Sequence, residues 1–193
     1  METRNQHIKD FDNITIYSFL MGPLWFFVLN GFEWKTSISA FAHLPVGNQF
    51  LGMYLAVVGF AFLGDWAGNR ERWYNLVSAL SIWGVAAFTM YDHHILHYCF
   101  AIMFYVTTNV TMITRVEKGT LQRKIRWFIS LVCSIILILS VSTPLMTILV
   151  GEWIGMVPMS VLLAGGKNNK TYLEMFLNWS KNKMFFKKID LWN

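Results

Sequence analysis

Residues 74–114 read YNLVSALSIWGVAAFTMYDHHILHYCFAIMFYVTTNVTMIT. Two apolar runs, Tyr74–Tyr91 and Leu96–Thr114, meet at Asp92-His93-His94-Ile95-Leu96-His97, which holds three of the chain's five histidines. Each run has about 18 residues, near the ~20 that a helix needs to cross about 30 Å of hydrocarbon at ~1.5 Å per residue. The stretch predicts two antiparallel membrane helices. Asp92–His97 forms the tight turn between them and the start of the second helix. With no water in the hydrocarbon to satisfy backbone groups, helices are favoured over irregular chain.

The same pattern recurs on both sides. Apolar runs at Ile14–Phe32, Val46–Gly64, Arg126–Thr143 and Thr147–Ala164 bring the predicted spans to six. The whole chain of 193 residues is 55% hydrophobic and 14% charged, against about 25% charged in a soluble domain. The expected fold is an all-α integral membrane protein: a six-transmembrane-helix bundle over residues 1–164, followed by a separate tail over 165–193. Met1–Asn13 is polar and mixed in charge. No small-x-small cleavage pattern follows the first apolar run, so that run is expected to stay in the membrane. Cys99 and Cys133 both fall inside apolar runs, where thiols pack as small apolar groups rather than forming a disulfide framework.

The basic residues set the expected orientation. With the N-terminus in the cytoplasm, every Lys and Arg except Lys35 falls on the cytoplasmic side. This is the positive-inside pattern, and six spans return both termini to that side. The sequons at Asn13, Asn109, Asn169 and Asn178 then lie inside or within the membrane and are expected to stay unglycosylated. After Gly165-Gly166 the tail mixes Lys with aromatic residues, and Tyr172, Phe176 and Trp179 share one helical face. It reads as an amphipathic interfacial segment against anionic head groups. The basic inner face is the only surface that suggests nucleic acid, and in a membrane protein it reads as positive-inside charge.

On the opposite, outer side the topology gathers polar groups at one level. The first outer loop carries Glu33, Trp34, Lys35 and His43. The second carries Asp92, His93, His94 and, opening the fourth helix, His97. The third carries Glu152 and Trp153. His93 and His97 stand at i, i+4 on one helical face, a spacing at which two imidazoles can share a metal such as zinc. Asp92, Glu152 or His43 would complete the ligand set or orient an imidazole. Histidine is also a candidate general base at neutral pH. The competing reading makes His93 and His94 solvated loop residues and His97 a satisfied packing histidine. Glu152 lies in the apolar stretch Val150–Gly155, so it either pairs with a histidine of the 92–97 loop or snorkels beside Trp153. Gly151-x-x-x-Gly155 would let another helix approach closely.

Other polar groups read structurally. Asp65 ends the second span beside Trp66, where it pairs with Arg70 or Arg72. Asn109, with Thr107, Thr108 and Thr111, is expected to hydrogen-bond to neighbouring helices. Pro23 and Pro158 imply kinks. The sequence has no Walker loop, Rossmann fingerprint, nucleophile elbow or internal repeat.

The count of six helices, Ser37-Ile-Ser39 before the second, His97-Tyr-Cys-Phe-Ala-Ile-Met-Phe opening the fourth and Glu152-Trp153 near the sixth resemble the DRAM/Frag/Sfk-type membrane proteins. That group includes autophagy modulators and factors that remodel the lipid of GPI anchors. The resemblance covers residues 14–164 and implies that His97, Glu152 and Trp153 are outer-face residues. The His93-His94 pair departs from it.

Three functions follow as expectations. The first is a module that binds lipids or partner proteins, including another copy of itself, at the outer end through Trp153, Trp34 and His43. The second is a metal-dependent lipid hydrolase or transferase with His97, Glu152 and Asp92 as catalytic residues and His93 and His97 on zinc. The third is a haem-binding electron carrier with His97 as axial ligand, for which a second helix histidine is missing.

Overall fold

A computed structural model describes residues 45–114 and 121–142, together with positions 24, 25, 28, 31, 119, 151 and 152. Among the described residues the fold is all-helical, with no strand. Its helices are α1 (Pro45–Gly68), α2 (Trp73–Ala87), α3 (His94–Thr114) and α4 (Leu121–Ser142). Three of them, over Gln49–Gly68, His94–Thr114 and Leu121–Ser142, are long and apolar enough to cross a membrane. The predicted first and sixth spans, most of the first outer loop and the 165–193 tail lie outside the described residues.

The observed helix limits differ from the apolar runs, each time for a local reason. α1 continues a full turn beyond Gly64, through Asp65 and Trp66, because Asp65 finds partners on α2. It stops at Gly68. There the Asn69 N–H bonds Asp65 O at 3.0 Å and Trp66 O at 3.1 Å, and Asn69 Oδ1 accepts the Glu71 N–H at 3.1 Å. This side-chain loop is a standard turn device of Asn. α4 begins at Leu121, five residues before the apolar run. Its first turn of Gln122, Arg123 and Lys124 is polar yet helix-favouring, so hydropathy misses it.

α2 is the shortened element. It has 15 residues, or about 22 Å, where 18 were predicted. It ends because Phe88 turns to extended backbone (φ −105°, ψ 101°) while its N–H still reaches Gly84 O. The Phe88 carbonyl is then taken by the His97 ring on α3 at 2.8 Å. The next residues close a turn of their own. Thr89 Oγ1 donates to Asp92 Oδ2 at 2.5 Å and accepts the Asp92 N–H at 3.2 Å, and Thr89 O accepts the His93 N–H at 3.0 Å. Side-chain bonds replace the helical ladder here.

α1, α2 and α3 pack in sequence order as antiparallel neighbours, with α2 in the middle. Leu51, Leu55, Val58 and Phe62 form one stripe of α1, and they bury Ala79 and Ile82 of α2. Their spacing alternates between four and three residues, the seam that brings two helices into lengthwise contact. Gly59 is required at this contact, because a Cβ there would overlap the Trp83 indole. Phe62 meets Phe104 of α3 edge to face, with centroids 5.7 Å apart. α4 joins α3 through a different chemistry, a ladder of polar side chains described below.

Candidate functional site

The bundle has two chemically distinct ends. One, the His94 end, holds the α2–α3 turn. The other, the Arg72 end, holds the α1–α2 turn, the last turn of α3 and the first turn of α4.

At the His94 end the predicted residues separate into two groups. Asp92, His93 and His94 are exposed, as are Tyr91, Ile95, Leu96 and Tyr98. His97 is turned inward and only 5% exposed. A carbonyl can only accept, so His97 donates from Nδ1 to Phe88 O, and in the neutral ring Nε2 is the acceptor nitrogen. His93 caps α3, with the His97 N–H bonding its carbonyl at 2.9 Å. The His93 ring stands edge-on to Phe88 at 5.7 Å, and Phe88 stacks on Phe100 at 5.5 Å. The i, i+4 relation of His93 and His97 therefore holds along the backbone, with one ring on the rim and the other in the core. Cys99, expected to pack, is exposed, whereas Cys133 is buried.

Gly151 is buried against Ser140, near the C-terminal end of α4. Because α4 runs antiparallel to α3, this contact puts half-buried Glu152 at the His94 end as well. A Cβ at Gly151 would overlap the Ser140 side chain, so the close approach expected of this glycine is present. Trp34, His43 and Trp153 lie outside the described residues. Among the described residues no three His, Cys, Asp or Glu side chains gather as a metal site.

At the Arg72 end the sequence reading anticipated only fragments of a buried network. Asp65 is 1% exposed. It accepts two bonds from Arg72 Nη1, at 3.0 and 3.3 Å, and a further one from the Asn75 amide. Asn75 Oδ1 in turn accepts from Thr111 Oγ1 at 2.6 Å. One turn deeper, Ser78 Oγ donates to Thr107 Oγ1 at 2.8 Å. Three helices are thus joined through one carboxylate whose desolvation is offset by a cation and an amide. Arg72, not Arg70, is the partner of Asp65. Arg70 instead lies over the Trp66 ring, 3.9 Å from its centroid.

The α3–α4 seam continues the theme. Arg126, 2% exposed, donates from Nη1 to Met112 O at 2.8 Å. That carbonyl is among the last four of α3, which lack a helical partner and sit at the negative end of its dipole. Ser130 Oγ donates to Asn109 Oδ1, and Ser134 Oγ meets Tyr105 Oη at 3.4 Å. The repeat of four residues on α4 matches the polar residues of α3. Thr107, Asn109 and Thr111 thus take part in the interhelical bonds expected of them, whereas the buried Thr108 hydroxyl makes none among the described residues. Asn75, Ser78, Ser130 and Arg126 were missed. Their signal was a polar residue every three or four positions inside an apolar run, which hydropathy averaging hides.

The fold and this arrangement of polar groups define a class: a helical bundle with three helices long and apolar enough to cross a membrane and with buried polar clamps between helices. The chain belongs to a family of unknown function (DUF7103), which it matches over residues 20–164. That match ends where the sixth apolar run ends. No curated protein matches the chain. No solved structure matches it.

Proposed function

We propose that this chain is a multi-pass integral membrane protein that binds a lipid head group at its His94 end. The observation that carries the reading is the division of labour around the α2–α3 turn. His97 is committed to holding that turn together, while Asp92, His93 and His94 are presented outward among exposed Tyr91, Ile95, Leu96 and Tyr98. Apolar and aromatic side chains at that level sit among lipid, and the three polar groups reach the head-group layer. The resemblance to a group that includes lipid-remodelling factors points the same way.

The second reading, a zinc-dependent lipid hydrolase, draws on one feature. A histidine whose Nδ1–H is held by a backbone carbonyl is oriented in the way of many metal-ligating histidines. Full-length protein incubated with a fluorescent phospholipid, then repurified, separates the two. The binding reading expects intact lipid to be retained and retention to fall about tenfold in His93→Ala/His94→Ala. Cleaved lipid together with near-stoichiometric zinc would establish the hydrolase, with His93, His97, Asp92 and Glu152 as its residues. Retention of intact lipid unchanged by the double substitution would remove the site from this end.

A further inference from the structure

We propose that the Arg72 end carries a second site, specific for the phosphate of an anionic glycerophospholipid, with Arg70 as its main ligand and Trp66 as the residue that positions it. The inference rests on the chain spanning a membrane, and it does not depend on the His94 end.

Arg70 is exposed and its guanidinium carbon lies over the Trp66 ring, 3.9 Å from the centroid. A cation–π contact takes up none of the guanidinium's hydrogen-bond donors, so its N–H edge stays available. That edge makes no hydrogen bond among the described residues. The planar fork of an arginine matches two phosphate oxygens at once, and a stacked arginine has less freedom to lose when it binds them. The backbone that presents it is also fixed, because Asn69 Oδ1 accepts the Glu71 N–H and closes the chain around Arg70.

The surroundings specify a lipid as the source of that phosphate. Trp73 and Trp127 are 64% and 57% exposed; Trp73 opens α2 and Trp127 stands in the second turn of α4, towards this same end. Exposed tryptophans near helix ends are typical of the head-group region of a bilayer. Exposed Lys124 and half-buried Arg123 flank α3 on its other side. Asp65 is engaged by Arg72 and Asn75, so exposed Glu71 is the one acidic side chain of the described turn that faces outward. At the opposite end the described turn holds Asp92 and histidines, with no Lys or Arg. Among the described residues, positive charge and exposed tryptophans gather at the Arg72 end, which complements an anionic leaflet.

The test uses the full chain in mild detergent, supplied with equal amounts of phosphatidylglycerol and phosphatidylcholine, with bound lipids counted by native mass spectrometry. Phosphatidylglycerol should be retained severalfold over phosphatidylcholine. Arg70→Gln should cut that preference about fivefold, the scale expected for one basic side chain at a membrane surface. Arg70→Lys keeps the charge but loses the fork and should fall between the two. Trp66→Leu should lower the preference while leaving Arg70 in place, and Asp92→Asn at the far end should change nothing. Free phosphate should not displace the bound lipid. Equal retention of the two lipids, or a preference that survives Arg70→Gln, overturns the site and assigns any residual preference to the lysine-rich tail. Extraction of the protein from membranes by alkaline carbonate would instead overturn the membrane reading beneath it.

Discussion

At the scale of single residues, the same side-chain types carry opposite roles depending on depth. His97 and His93 sit one helical turn apart, but His97 holds the α2 terminus and His93 lines the rim. Truncating His97 leaves the Phe88 carbonyl without its partner. His97→Ala is therefore expected to cost about 1–3 kcal/mol, the scale for orphaning a buried polar group. It should also raise amide exchange across Phe88–His93. A His97→Ala protein with an unchanged melting temperature and unchanged exchange would contradict the clamp. Asp65 and Arg72 form a pair with unequal burial, the acid side chain 2% exposed and the arginine 30%. Removing the cation strands a carboxylate inside the bundle, whereas removing the acid leaves an arginine that can reach water. Arg72→Ala should thus destabilise by about 3–5 kcal/mol and Asp65→Asn by distinctly less. Thermal unfolding of the two variants in detergent gives the order, and the reverse order would refute the account.

Among the elements, α1–α2 and α3–α4 contacts rest on different physics. The first is a close apolar seam with Gly59 beneath Trp83. Gly59→Val would push the indole away and is expected to destabilise by about 1–3 kcal/mol, in the range of overpacked cores. Pairing it with Trp83→Phe, which removes the overlapping ring edge, should recover part of that loss. The second is a polar ladder; with the bundle in a membrane as proposed, apolar area contributes little there, because lipid tails are as apolar as the side chains they would replace. A double-mutant cycle of Asn109→Ala and Ser130→Ala should therefore give a coupling of about 0.5–2 kcal/mol. A cycle that sums to zero would show that the ladder does not hold α4.

For the whole molecule, the prediction concerns sidedness. The Arg72 and His94 ends terminate the same antiparallel helices, so single cysteines placed at Glu71 and at His93, in a background lacking Cys99 and Cys133, should be labelled by an impermeant thiol reagent from opposite sides of sealed vesicles. Labelling of both from one side would rule out the spanning arrangement. α2 covers only about 22 Å by length. Its extended exit at Phe88 is bonded to His97 of α3, and the polar turn after it closes on itself through Thr89.

The amino-acid sequence by itself determined the helical class, the positions of α1, α3 and α4 to within a turn or so, and the gathering of Asp92, His93 and His94 at one helix junction. These follow from hydropathy and covalent order, which act along the chain. It also announced that Asp65 would pair with a nearby arginine and that Asn109 would bond across helices. Tertiary structure alone decided which arginine that was, that α2 stops at Ala87, that His97 faces inward, and that Asn75, Ser78, Ser130 and Arg126 form clamps between helices. The reason is geometric. A polar residue within an apolar run carries the same average hydropathy whichever way it points, and only the neighbouring helix fixes whether it meets a carboxylate, a carbonyl or lipid.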